Sequence, residues 1–247
     1  MRYLILTDIH ANLEGLEACL ADARTRGYDG ALVLGDIVGY GPDPNAVIDV
    51  VRSLNPLAIV RGNHDKVAMG MSQADGFHAA ARAAAHWMLE SLSDENRDWL
   101  IALPMGPTVV ADGVELCHGA PFDEDAYIFD ELDARHAIDA ATAPVCFYGH
   151  THFAVAFRLA GDLLEVLGPS SPGDLTIMFE PGSKYLVNPG SVGQPRDGDP
   201  RAAYAIFDSE SRRVDMIRVP YPLQVTQNKM LTAGLPEPLA RRLGVGR

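Results

Sequence analysis

The chain has 247 residues, 47% of them hydrophobic, with 33 acidic side chains against 20 Lys and Arg and a formal net charge of −13. A chain of this size and apolar content can bury a sizeable core, which excludes a disordered protein. The charge excludes a broad phosphate-gripping surface for duplex nucleic acid, because such a surface needs clustered Lys and Arg.

Residues 2–7 are apolar and β-prone and lead to Asp8, after which a helical pattern runs from Asn12, an N-cap, to Gly27, a C-cap. The stretch GALVLGD at 30–36 repeats the design, ending in Asp36, and Asp43-Pro44 opens a helix that continues to about Ser53. LAIVRGNHD at 57–65 is the third strand-like run. Three strand–helix units in succession predict a parallel sheet whose ligands gather beyond the carboxyl ends of its strands. A helical cover is expected over about 66–103, its last helix starting near Ser93 and stopping before Pro104. From 107 onward short β-rich runs separated by Gly and Asp turns predict a second sheet packed on the first. LGPSSPGD at 167–174 reads as an exposed loop. The chain then divides into one main domain over 1–220 and a C-terminal extension over 221–247, where periodicity is weak.

Cys19, Cys117 and Cys146 lie in apolar stretches without paired spacing and read as buried free thiols. No apolar run has the length of a membrane-spanning helix, and RYLILT after Met1 reads as a strand rather than a signal peptide, so a cytoplasmic protein without a membrane partner is expected.

Each polar cluster stands at the end of an apolar run: Asp8 and His10 in TDIH, Asp36 in LGDIVGYG, Asn63, His64 and Asp65 in RGNHD, His118 in CHGAP, His150 and His152 in YGHTHF. If the strands are as read, all converge on one sheet edge. Imidazole, carboxylate and amide oxygen together suit Mn, Fe, Zn or Ni better than Ca or Mg.

In this order, D-x-H, G-D-x-x-G, G-N-H-D, a lone His and G-H-T-H resemble the calcineurin-like metallophosphoesterase superfamily over residues 1 to about 195. NPGSVGQPRDGDPRAAYAIFD at 188–208 resembles the closing segment of its small bacterial and archaeal phosphodiesterase branch. The resemblance implies a four-layer α/β/β/α sandwich, two packed mixed β-sheets flanked by helices. It also implies two divalent transition-metal ions, manganese first and Fe, Zn or Ni as options. Asp8, His10, Asp36 and His152 would hold one ion, and Asp36, Asn63, His118 and His150 the other, with Asp36 bridging. His64 matches the family's catalytic imidazole and Asp65 the carboxylate that orients it. The implied reaction is hydrolysis of a small phosphate ester, a phosphodiester and with it a monoester, by attack of a hydroxide activated between two metals.

Other readings stay open. Dinucleoside-tetraphosphate hydrolases share related motifs. Protein phosphatases of the superfamily carry an acidic residue and an arginine where this chain has Gly39 and Tyr40, which weakens that reading. A metal-binding scaffold without catalysis is the alternative of another class. Arg61, Arg196, Tyr40 and Asn45 are neighbours of the motifs whose contact with substrate the sequence leaves open, whereas His78, His86 and His136 fall outside every motif and read as packed or solvated side chains.

Overall fold

Strand β1 (Arg2–Leu6) is apolar at every position but its first because both of its faces are covered: Leu4 and Leu6 point to one hydrophobic layer, Tyr3 and Ile5 to another. Helix α1 (Leu13–Arg26) follows, opened by the Asn12 side chain, which accepts from the Gly15 N–H at 3.0 Å, and closed by Gly27 at φ 76°. These values come from a computed structural model that describes residues 1–169 and 173–247, so the middle of the loop expected at 167–174 lies outside the described residues.

The pattern continues with β2 (Gly30–Val33), α2 (Pro44–Ser53) and β3 (Ala58–Ile59). The third strand is shorter than its apolar run because the chain bends at Gly62 into a short helix, α3 (Asn63–Ala68). Helices α4 (Ala79–Ser91) and α5 (Asp94–Ile101) form the cover, with Ser93 capping the second of them. Then come β4 (Thr108–Val110), β5 (Val114–Leu116), α6 (Glu131–Ala140), β6 (Val145–Phe147), β7 (Ala154–Ala160) and β8 (Leu163–Leu167). The chain ends with β9 (Leu175–Met178), β10 (Lys184–Pro189), β11 (Ala202–Asp208), β12 (Arg213–Val219), α7 (Leu223–Thr232) and α8 (Glu237–Leu243).

Two mixed six-stranded sheets result, ordered β3-β2-β1-β11-β12-β9 and β4-β5-β6-β10-β7-β8. Strands β1, β2 and β3 run parallel, as do β5, β6 and β10, while the outer strands pair antiparallel. Tyr3, Ile5, Leu32, Phe147, Tyr185 and Phe207 fill the space between the sheets. A second layer lies between the first sheet and α1, α2, α4 and α5, and a third between the other sheet and α6. The parallel registers Leu6↔Val33 and Leu116↔Phe147 bring the loops that follow these strands to a common edge within each sheet. No helix among the described residues is long and apolar enough to cross a membrane.

Helices α7 and α8 pack on Tyr40 and on Ala81 and Ala84 of α4, burying Met230, Leu235, Leu239 and Leu243. Thr226 of α7 bonds the N-cap Asn12, and Lys229 pairs with Glu14 and Asp43. The extension therefore covers the helix starts beside the carboxyl ends of β1 and β2.

Candidate metal centre

Seven of the polar groups singled out in the sequence meet at that edge. Asp8, His10, Asp36 and His152 bring one donor atom each into a group whose members all lie within 4.8 Å of one another, and Asp36, His118 and His150 form a second such group. Asn63 joins the second, its Oδ1 lying 3.3 Å from His118 Nε2. Asp36 belongs to both, its Oδ2 standing 3.5 Å from His10 Nε2 on one side and 3.5 Å from His118 Nε2 on the other. The first sheet supplies Asp8, His10 and Asp36, and the loops of the second supply His118, His150 and His152.

The backbone is bent to make this possible. Asp8, His10, Asp36, His150 and His152 all have positive φ, between 50° and 68°, a region that side chains other than Gly enter at a cost. A Cβ at Gly62 would collide with the Asp36 carboxylate, so only glycine fits at that position of the RGNHD loop. Asp36 accepts the His64 N–H at 2.8 Å, and Asp8 accepts the His150 N–H at 3.1 Å and the Thr7 hydroxyl at 2.9 Å.

The four imidazoles are oriented by backbone carbonyls. Val38 O takes His10 Nδ1 at 3.1 Å, Leu34 O takes His118 Nδ1 at 2.8 Å, Gln194 O takes His152 Nδ1 at 2.6 Å and Asp125 O takes His150 Nε2 at 3.1 Å. A carbonyl only accepts, so each ring places its N–H there and turns its lone pair inward. The inward nitrogens then face each other in pairs, His10 Nε2 to His152 Nε2 at 3.1 Å and His118 Nε2 to His150 Nδ1 at 3.1 Å. Two lone pairs at that distance repel unless a proton or a cation lies between them. The donor chemistry fits divalent metal ions.

Electrostatics agree with this reading. All six ionisable members are at most 4% exposed. Burial holds His10 and His152 well below the usual imidazole range and pushes His150 down to about 3. Burial likewise raises Asp8 to about 7. For Asp36 burial works upward, but His118 and His64 outweigh it and hold the carboxyl well below its usual value. His118 is raised to about 10, since Asp36 beside it outweighs its own burial. Without metal, one proton on His118 therefore neutralises the shared carboxylate.

His64 belongs to neither ligand group. Its ring sits 4.3 Å from Tyr40, 4.4 Å from Phe77 and 4.9 Å from His10, centroid to centroid, and burial lowers its pKa to about 4. The role expected for Asp65 needs correction. Its carboxylate makes no hydrogen bond to the His64 ring but takes the Gly62 N–H at 2.9 Å and the Val38 N–H at 3.1 Å. Asp65 is the third residue of α3, where a carboxylate reaches back to the unsatisfied amide at the helix start, and successive helical side chains point in different directions. Packing between Tyr40 and Phe77 orients His64 instead.

Among the open neighbours, Arg61 turns away into an ion pair with Glu124 at 3.0 Å, and Asn45 ties Ser91 to Ser93. Arg196 stays close, its guanidinium 5.7 Å from the centre of the Tyr40 ring and bonded to the Tyr40 hydroxyl at 3.3 Å. Tyr127, which no motif marks, stacks on His150 at 3.8 Å. His78, expected on a helix outside the site, caps α4 by accepting the Ala81 N–H.

Comparison with known proteins follows the same line. The family model described as the calcineurin-like phosphoesterase superfamily domain matches residues 1–212. An uncharacterized protein of Methanocaldococcus jannaschii is 35% identical over 246 residues, 98% of this chain and 97% of its own. Phosphodiesterase YfcE of Escherichia coli is 26% identical over 219 residues, 85% of this chain and 89% of its own. The crystal structure of a metallophosphoesterase from Sphaerobacter thermophilus superposes with a TM-score of 0.87 at 40% identity, covering 100% of this chain and 99% of that one. With motifs, fold and family model in agreement over most of its length, the chain belongs to the calcineurin-like phosphoesterase superfamily.

Proposed function

We propose that the chain is a phosphoesterase that hydrolyses small phosphodiesters, and with them monoesters, using two divalent transition-metal ions, manganese foremost. The observation that carries this is the pair of buried donor groups that share Asp36, with imidazole nitrogens and carboxylate oxygens turned inward on both of its sides. Asp8, His10, Asp36 and His152 would hold one ion, and Asp36, Asn63, His118 and His150 the other. When bound, such a pair would lower the pKa of water and draw charge from the phosphoryl oxygens.

The chain's own groups do the rest. Asp36 offsets repulsion between two neighbouring cations by contributing to both. Neutral His64 still carries one ring N–H, which donates to a non-bridging phosphoryl oxygen, and burial favours this over delivery of a full proton because it holds the ring's pKa near 4. Arg196 adds fixed positive charge beside Tyr40. The net charge of −13 surrounds this small positive well and repels extended polyanions, so compact esters are the substrates and duplex nucleic acid is not. The similarity to a phosphodiesterase supports the choice of diesters. Three unpaired buried cysteines support a cytoplasmic setting.

The test is a substrate panel at fixed Mn²⁺ and salt: bis-(p-nitrophenyl) phosphate, p-nitrophenyl phosphate, diadenosine tetraphosphate, a phosphopeptide and duplex DNA. The diester is expected to show the highest kcat/KM. An advantage for the tetraphosphate moves the assignment to dinucleoside polyphosphate hydrolysis, and one for phosphopeptide or duplex defeats the charge argument. Silence on every ester by protein loaded with both metals leaves a metal-binding scaffold.

A further inference from the structure

Beside the metal centre lies a cavity of about 600 Å³ whose walls include Ile128, Phe129, Thr151, Phe153, Asp197 and Arg218. Thr151 and Phe153 flank His152 in sequence, so the inner wall of the cavity is the same loop that presents two of the inward imidazoles. A second connection runs through stacked rings. Tyr127 lies on His150 at 3.8 Å and 26°, and Phe129 lies on Tyr127 at 5.0 Å and 6°. Phe129 is one ring removed from His150, and it is 71% exposed, with Phe153 at 45%. An exposed aromatic group of this size is unusual unless something covers it.

Of the polar groups of the wall, Asp197 Oδ2 and Arg218 are engaged, whereas Asp197 Oδ1 is buried without a hydrogen-bond partner among the described residues. Asp197 accepts the Ala154 N–H at 3.1 Å and is ion-paired with Arg218, which is buried. Among the described residues the cavity offers mainly ring faces and aliphatic surface. The main chain at Phe129 is tied to α6, since its N–H donates to Asp133 at 3.0 Å. A flat, apolar face next to a phosphate-handling centre matches a planar heterocycle attached to that phosphate through a sugar, because every nucleobase has a π face that stacks on an aromatic side chain.

We infer that the Phe129–Phe153 cavity is the base subsite of the enzyme, and that its substrates are phosphodiesters carrying a nucleoside on one arm. This rests on the phosphoesterase reading above and narrows it. Tyr127 and Phe129 bind the ring and act on affinity for substrate, not on the bond that breaks.

The experiment compares adenylyl-(3′→5′)-adenosine with the ring-free diester glycerophosphoethanolamine, both with Mn²⁺, in the full-length protein and in Phe129→Ala, Phe153→Ala and Leu132→Ala. The measured quantity is the ratio of the two kcat/KM values. It is expected to fall roughly tenfold in the two Phe variants, through KM of the dinucleotide. Leu132, an exposed apolar residue on α6 outside the cavity, should keep the parental ratio. An unchanged ratio in Phe129→Ala and Phe153→Ala overturns the subsite. If the parental protein cleaves neither diester and is silent on the ester panel above as well, the phosphoesterase reading fails on its own. Calorimetric binding of adenosine monophosphate to the Mn²⁺-loaded protein then decides the subsite: weakening in Phe129→Ala upholds it, and parental affinity rejects it.

Discussion

Asp36 and His64 are separated by one hydrogen bond, yet they should fail in different ways. Asp36 contributes to both donor groups, so Asp36→Asn removes the charge that offsets two cations and should lower metal content on both sides. Asp8→Asn, which changes a donor atom only in the group with His10 and His152, should empty mainly one. Metal analysis of purified protein distinguishes them, and two tightly bound ions in Asp36→Asn would contradict the shared role. His64→Ala leaves every donor in place and should keep its metals while losing activity on the order of a hundredfold or more. Parental turnover in His64→Ala removes that imidazole from the chemistry. These residues were legible because each is a polar interruption at the end of an apolar run, in a fixed order along the chain. Tyr127 and Phe129 were not: they sit in a loop without periodicity, and their relation to His150 exists only once β5 and β6 are paired.

Helix α3 shows what a motif conceals about its own geometry. G-N-H-D places an amide, an imidazole and a carboxylate in succession, and adjacency in sequence suggests that Asp65 holds His64. Once these residues begin a helix, adjacency separates them, and Asp65 becomes the cap that joins Gly62 to the Val38 loop. Asp65→Ala should therefore cost stability, about 1–3 kcal/mol, as a buried carboxylate removed from two amides. Urea denaturation of metal-free protein measures it. A variant as stable as the parent, with only its pH–rate profile altered, would restore the orienting role. Other elements were read unevenly for similar reasons. Asn12, Gly27 and Ser93 act as caps where their side-chain chemistry indicates, because capping is local. The third strand shrinks to Ala58–Ile59, and β9 joins the first sheet although β8 and β10 on either side of it in sequence belong to the second. Pairing between distant segments leaves no trace in any short stretch of sequence.

At the scale of the whole molecule, the two sheets meet their metal-binding groups across one cleft, so protonation, metal binding and folding are linked. In metal-free protein the directions can be set out group by group. Burial lowers the pKa values of His10, His64, His150 and His152, so between their folded values and the ordinary imidazole range the unfolded chain binds more protons than the folded one. Each removes stability as pH falls below about 6.5. Asp8 and Asp65, both raised by burial to about 7, act oppositely between about 4 and 7, because there the folded chain holds their protons. Four imidazoles against two carboxyls leave a net loss on acidification. His118, raised to about 10, adds a loss of its own as pH climbs from about 6.5 toward 10. Stability of the metal-free protein should therefore peak near neutrality and fall on both sides. Bound metal displaces these protons and stabilises the folded state by mass action, so the rise in Tm on adding Mn²⁺ should shrink as pH drops from 7.5 to 5. Thermal unfolding with chelator and with Mn²⁺ at pH 5, 6, 7 and 7.5 measures both. Metal-free stability that holds steady or increases from pH 6.5 to 5 would mean that the imidazoles are not buried neutral, and a Tm gain independent of pH would mean that the metals do not bind where these protons sit.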